Sequence, residues 1–529
     1  MIFRPLSFSN DSEVCMYKDS MASFFARASL IVLFGVTPFI SQARAVDFYW
    51  QTENSHRGVQ YQGGSPQSVC NQVAAIGWTF NYKYSGMSMI SEVRFRCNAY
   101  RSSDGYTAYT NVRRFGDGCT SPSVYNAQTS SCENPQDDRC ISQPELCPSL
   151  AEKGSPQFCP SPYAGNPINF AVGNKFQSET DYSPASNSTL NLIRSYNSLD
   201  GLWRHNFSTY LRFAGTAYAS LVRHDGRESF FTISGTTITP TLSGLGVLTK
   251  TGTNGWQYVS ANNEHFTFNT AGKLTHWSDT QGRSYQLAYS GSEITVTDNL
   301  GNSLTLTEDT DRQPLSLTAP STHITYGYNA EKRLTSVTRT AGGQTTQRQF
   351  HYEVPGKPGL LTGITDELGV RYATWAYDDQ SRAISSEHAG GTNRVSVTYS
   401  TDGTVSVTNE LGKVAKYGFQ YIKGVKRITV IKGEPSPNCP SSNSTFTYDD
   451  RGLLKTKTDN KGILTTYDYN ERGLEISRTE ASGTPHARTI TTNWHPDWFL
   501  PVTITEPDRI TQYTYDNQGR QTSQSVTQR

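Results

Sequence analysis

From Glu264 onwards an aromatic residue returns every 21 to 27 positions, at Phe268, Tyr289, Tyr328, Tyr352, Tyr377, Tyr399, Tyr421, Tyr448, Tyr469, Trp494 and Tyr515, with one gap of nearly double length between Tyr289 and Tyr328. A period of that size marks a repeat architecture whose units cannot bury their apolar faces alone and must stack on their neighbours. The clearest copies read Tyr377-Asp-Asp-Gln-Ser-Arg, Tyr448-Asp-Asp-Arg-Gly-Leu, Tyr469-Asn-Glu-Arg-Gly-Leu and Tyr515-Asp-Asn-Gln-Gly-Arg. A second signature alternates with them: Asp298-Asn-Leu-Gly, Asp366-Glu-Leu-Gly, Asn409-Glu-Leu-Gly and Asp459-Asn-Lys-Gly. Glycine supplies the positive φ of a tight reversal, and Asp or Asn bonds its own backbone. Each unit therefore reads strand, turn, strand ending in Tyr-Asp, turn. The tyrosines are expected in the core and in cross-strand ladders rather than as a sugar-stacking platform.

Composition supports an all-β chain. Thirty Tyr, 23 Phe and 43 Gly in 529 residues favour pleated surfaces and turns. The formal net charge is only +1, so electrostatics gives no reason to expect nucleic acid as a partner.

The N-terminus carries Arg27, an apolar stretch from Ala28 to Ile40, then Ala43-Arg44-Ala45. That is the layout of a secretory signal over 1–45 cut before Val46, with Met21 a second candidate start. An apolar run of about thirteen residues is short of the roughly 20 that a spanning helix needs, so the mature chain is expected not to span a membrane. Cysteine usage agrees with export. Cys70, Cys97, Cys119, Cys132, Cys140, Cys147 and Cys159 crowd into one segment, and Cys439 stands apart. Such clustering predicts disulfides in a small Cys-rich β domain over 46–165, with connectivity open; the closest spacings are too wide for paired zinc ligands.

A third segment opens with Asn166-Pro-Ile-Asn-Phe-Ala-Val-Gly-Asn-Lys-Phe and continues through Leu190-Asn-Leu-Ile-Arg-Ser-Tyr-Asn, Gly201-Leu-Trp-Arg-His-Asn-Phe and Arg223-His-Asp-Gly-Arg-Glu. In this order the motifs resemble the module that introduces the repeats in bacterial Rhs proteins, and the region after it resembles their tyrosine-aspartate repeats. The resemblance runs from Asn166 to Arg529. It implies an introducing module over 166–254 and a repeat ribbon over 255–529, part of a β-shell or cocoon around a toxic C-terminal domain. The family's self-cleaving release module uses an Asp-Pro motif, and the chain has no such dipeptide. It stops at Gln518-Gly-Arg-Gln-Thr-Ser-Gln-Ser-Val-Thr-Gln-Arg529, one turn into a repeat, so the array is expected to be truncated or completed by a second chain.

Chemistry is sparse. There is no His-Glu-x-x-His, Gly-x-Ser-x-Gly or phosphate-cradling loop. His205 reads as a structural hydrogen-bonding residue, His224-Asp225 with Arg227 and Glu228 as a hairpin turn with a solvated charged rim, and Trp494-His-Pro-Asp-Trp498 as a degenerate repeat turn. The turn carboxylates are spread along successive hairpins, whereas calcium needs about six to eight oxygens at one point. No catalytic, cofactor-binding or metal residue is expected, and no cofactor. The expected function is an exported, non-catalytic repeat scaffold, secreted, periplasmic or at the cell surface, linked to toxin delivery or interbacterial competition. The alternative is a secreted adhesin that binds a cell-surface glycan or receptor.

Overall fold

The computed structural model describes residues 49–529 apart from 54–59, 64–65, 75–81, 92–93, 102, 106, 116–123, 127–130, 134–138, 143–147, 157–159, 185–187, 253–254 and 434–442. The proposed signal segment, Cys119, Cys147, Cys159 and Cys439 lie outside the described residues.

The first unit is an antiparallel sheet with spatial order Gln62–Gly63, Tyr49–Thr52, Thr107–Phe115, Arg94–Arg101, Tyr82–Ser91. Period-two alternation puts Phe95, Cys97 and Ala99 on its buried face, where Trp50 and Val112 meet the short helix Pro66–Gln72 through Val69 and Cys70. Cys70 and Cys97 are joined as a disulfide, tying helix to sheet, and Cys140 is disulfide-bonded as well.

The described residues Cys140, Ile141 and Leu150 belong to a different core from that unit. They cluster with Phe230 of the next segment, so the boundary drawn at 165 cuts through a shared core. From Tyr163 the chain forms two antiparallel sheets in sequence order, one of five strands ending at Leu202–His205 and one of four from Tyr210–Ala214 to Thr237–Pro240. Together these are the introducing module. Its interior is unusually polar: Asn174 donates to Asn197 Oδ1 at 2.8 Å, and Asn197 donates to the Asp225 carbonyl at 2.7 Å. Lys153 and Arg204 both reach the Asp200 carboxylate, at 2.8 and 2.9 Å.

The rest is one sheet of twenty-six strands, Val247–Thr251 through Gln521–Gln528, each paired antiparallel only with its neighbours in sequence. It begins inside the segment assigned to 166–254. Every connection reverses the chain, so successive turns fall alternately on two rims of the ribbon. The Tyr-Asp turns, such as 378–382 and 449–453, occupy one rim; the Asp-x-Leu-Gly turns, such as 298–302 and 366–370, occupy the other.

Two observations fix the curvature. Buried side chains of the module, including Tyr196, Trp203 and Phe170, belong to the same clusters as ribbon residues from Leu248 to Phe446. The seventeen strands from His265–Phe268 to Thr445–Tyr448 would extend about 75–80 Å if flat, at roughly 4.8 Å per strand. Module side chains share buried clusters with both ends of that stretch, which requires the ribbon to wrap around the module. Second, the ribbon meets itself: the Phe499 amide donates to Asn263 Oδ1 at 2.7 Å, and Asn263 Nδ2 donates to the Phe499 carbonyl at 3.2 Å. Asn263 lies on one rim and Phe499 on the other. Opposite rims meet only when a ribbon advances as it winds, so the architecture is a spiral of about 100 Å of ribbon per turn rather than a closed barrel.

Candidate functional site: the wrapped inner face and the seam of the spiral

The repeat turns follow the sequence closely. Asp378 Oδ1 accepts the amides of Gln380 and Arg382 at 3.0 and 2.8 Å, and the same pair of bonds recurs at Asp298, Asp366, Asn409, Asp449, Asp459 and Asp516. These oxygens are committed to their own turns. Among the described residues no group of three or more His, Cys, Asp or Glu is placed to hold a metal ion.

The anchor tyrosines bind neighbouring hairpins together. Six of the hydroxyls donate to a carbonyl 14 to 20 residues earlier: Tyr289 to Leu274, Tyr328 to Pro314, Tyr377 to Leu361, Tyr399 to Ala383, Tyr448 to Ile428 and Tyr515 to Pro501, all at 2.7–2.9 Å. Trp494 does the same with its indole N–H, to Glu475 at 2.8 Å. Burial pushes these phenols up, Tyr515 to about 12, so all donate across the physiological range. Replacing Tyr448 by Phe is expected to lower stability by about 1 kcal/mol, since one neutral hydrogen bond is lost while the ring stays; urea unfolding of the two proteins checks it. Tyr421 departs from the expectation: it is 43% exposed near the end of a long hairpin strand, with the Lys426 ammonium over its ring at 5.3 Å.

The long gap after Tyr289 contains a hidden repeat. Asp309 makes the same turn bonds, Arg312 takes the positive φ usually given to glycine, and Glu308 stands at the bulged position that holds tyrosine elsewhere. Glu308 faces His205, fully buried, with Nε2 3.1 Å from its carboxylate. His205 therefore has a structural partner on the ribbon. Aromatic periodicity had no means of showing an acidic anchor.

His224-Asp225-Gly226-Arg227 does form a turn, but its rim is not solvated. Asp225 and Glu228 are buried; Glu228 accepts from Arg212 and Ser220 at 2.7 Å, and Arg227 donates to the Lys153 carbonyl at 3.0 Å. The N-terminal segment covers this hairpin, which is why its charges are paired. Trp494–Trp498 lies in a repeat turn in which His495 Nδ1 accepts the Asp497 and Trp498 amides, at 3.2 and 3.3 Å, as an Asp would.

The densest constellation joins module to ribbon at Arg194. Its guanidinium, fully buried, is held bidentate by Asp181 and lies 4.5 Å from the Trp203 ring centroid, 5.2 Å from Phe350 and 5.3 Å from Tyr326. Tyr326 donates to the same Asp181 carboxylate at 2.8 Å. Burial acts to lower its pKa, and the Asp181 charge outweighs that and raises it. A second carboxylate, Glu179, takes Arg348 and the Tyr372 hydroxyl. Lys175 lies fully buried beside it, over Trp375, and burial lowers its pKa. Over this span the inside of the turn is filled by the module.

At the seam, Glu152 accepts the Lys426 amide on Oε1 at 3.0 Å, while Oε2 is buried without a hydrogen bond. Burial, partly offset by Lys426, pushes its pKa from 4.5 up to about 7. The folded state thus holds a proton that the unfolded state has lost between about pH 4.5 and 7. Stability falls as pH rises through that window, by about 3 kcal/mol. Glu152→Gln is expected to remove this slope, stabilising at pH 8 and changing little at pH 4, as urea midpoints across that range would show.

Residues 165–231 match the family model DUF6531, a domain of unknown function, and residues 448–485 match the model named RHS Repeat. No curated protein sequence matches the chain. Among solved structures, the chain aligns at 13% identity and a TM-score of 0.27 with TcdB2-TccC3 lacking its hypervariable C-terminal region, and equally with a Tc holotoxin pore of Photorhabdus luminescens. Each alignment covers 82% of this chain and 24% of the other, so the chain spans about a quarter of their length. A porin-like protein from Bacteroides uniformis aligns at 9% identity and a TM-score of 0.10, over 68% of this chain and 97% of that one. Among the described residues no helix is long and apolar enough to cross a membrane.

Proposed function

We propose that this chain, in which residues 448–485 match the RHS Repeat model, is an exported scaffold without chemistry of its own, one wall of a shell used in toxin delivery or interbacterial competition. The observation that supports this most is the spiral itself: twenty-six strands in strict sequence order, wound once around their own introducing module. Such a wall serves to enclose. The module fills the turn as far as Phe446. From Leu464 the strands are mostly half-buried or exposed on both faces, and that stretch is the surface left to line a lumen. The partners this reading calls for are a toxin domain or a second chain completing the shell.

The test is co-expression of the full chain with its genomic neighbours, followed by affinity capture and proteolysis. Scaffold function predicts a co-purifying polypeptide that resists protease only in the complex. Recovery of the chain alone, together with its binding to a glycan array or to cells, would transfer the assignment to the adhesin alternative.

A further inference from the structure

One rim of the ribbon carries leucine at the tips of its turns. Leu300, Leu368 and Leu411 are 62%, 89% and 78% exposed, and Val370, Val414 and Ile463 on the same rim are exposed as well. The turn itself does not require leucine. Lys461 on the same rim, and Gln380, Arg451 and Gln518 on the other, hold the equivalent position and donate the same amide bond to the first side chain of the turn. Local geometry therefore leaves the leucines unexplained, and a row of apolar tips in water marks an interaction surface.

The same rim shows what fits against it. Back along the ribbon, its turn at 260–264 is covered by the 495–499 turn of a later winding: Trp498 lies over His265, ring centroids 5.4 Å apart, Phe499 is buried, and Gly473 comes up against Ser243 and Gly244. The opposite rim is taken by the module, where Arg333 donates to the Gly201 carbonyl at 2.8 Å and the Ala383 amide to that of Gly173 at 2.9 Å. Among the described residues the leucine rim has neither cover from Leu300 to Ile463, and its turns at 299–301, 367–370, 410–414 and 460–463 are exposed throughout. That arc crosses the fourteen strands from Ser303–Glu308 to Leu454–Thr458. At roughly 4.8 Å per strand and about 10 Å of sheet thickness it offers about 650–700 Å². Two such arcs bury about 1,300–1,400 Å² together, within the range of stable interfaces.

A partner for this edge must curve with the same radius and present apolar tips of its own, and a second copy of the chain meets both conditions. A two-fold axis across a spiral edge carries that edge onto itself, reversed in direction but with the same slope, so the two arcs stay apposed along their length. The midpoint between Leu368 and Leu411 falls at the turn Ala389-Gly390-Gly391, whose glycines have open space around them. Small residues at the axis let the leucines two strands to either side close on one another. We infer that the leucine rim joins two copies of this chain edge to edge about a two-fold axis at Gly390, Leu368 of each meeting Leu411 of the other. This rests on the scaffold reading, whose second chain is then another copy of this one.

Sedimentation equilibrium of the full chain tests it. The chain should form a dimer at micromolar concentration, and Leu368→Glu combined with Leu411→Glu should weaken that dimer about a hundredfold or more, since two apolar anchors are lost and four like charges meet at the centre. Both side chains are exposed, so the double variant should stay folded, and Gln518→Glu on the opposite rim should leave the dimer intact. Oxidation of a mixture of Leu368→Cys and Leu411→Cys chains should link residues 368 and 411 between copies; either variant alone, its sites four strands apart, should not form that link. A monomer at every concentration, a dimer indifferent to the double variant, or open-ended chains of copies overturns the inference. So does a complex with a different polypeptide that the double variant abolishes while the chain by itself stays monomeric. Each of these leaves the scaffold reading in place, because that reading falls on its own protease-protection test.

Discussion

Replacing Asp181 by alanine is expected to cost about 3–5 kcal/mol, since removing one partner of a buried pair leaves the other charge uncompensated. Arg194 has no solvent to turn to: it is fully buried, ringed by Trp203, Tyr326 and Phe350. The loss also strips the Tyr326 hydroxyl of its acceptor. Arg194→Met in the Asp181→Ala background should recover part of the loss, because the volume is kept and the orphaned charge is gone. A double-mutant cycle on urea unfolding reads this directly. Additive losses would mean that the two side chains do not act as a pair, and that module and ribbon are joined there by apolar packing alone.

How much of this was legible in the sequence depends on which force set each feature. Turn geometry is local, so Asp-x-x-Gly and its backbone bonds could be read residue by residue, and the strand order followed from the lack of crossover segments. Anchor positions were legible where the anchor is aromatic. Glu308 was hidden because its partner, His205, lies 103 residues earlier, and no local pattern marks an acid that replaces a tyrosine. The charges around Asp225 were read as solvated for a similar reason. A hairpin rich in Arg, Asp and Glu is solvated by default, and only the N-terminal segment laid over it reverses that. The winding was implied by family resemblance, but its filling was not: that Trp203, Tyr196 and Arg194 face strands more than a hundred residues away is a long-range fact. A cleft at the seam belongs to the same class, since Glu152 and Arg478 are brought to its walls only by a full turn of ribbon.

Trp203→Ala tests whether the module sets the curvature. Trp203 is fully buried, donates from Nε1 to the Tyr352 hydroxyl at 3.0 Å, packs edge-on against Phe350 at 5.1 Å and lies beneath Arg194. Its backbone amide donates to Gln313 Oε1 at 3.1 Å. Large-to-small replacement at such a site costs about 3–5 kcal/mol through lost transfer energy and the cavity left behind. Trp203→Phe should cost less, as it gives up the Tyr352 bond but keeps most of the volume. The location of the damage is the sharper reading. If the ribbon is bent by packing on the module, amide exchange should accelerate over Ser303–Glu308, Gln344–His351 and Gly363–Thr365 and stay unchanged from Leu464 onwards, a stretch that belongs to neither of the buried clusters shared with the module. Each hairpin alone is marginal, so strands robbed of their inner contacts open locally before the chain unfolds. Unchanged protection over 303–365 would show that twist and the tyrosine ladder alone hold the curve, and the module would then be cargo-like filling rather than the mandrel on which the wall is wound.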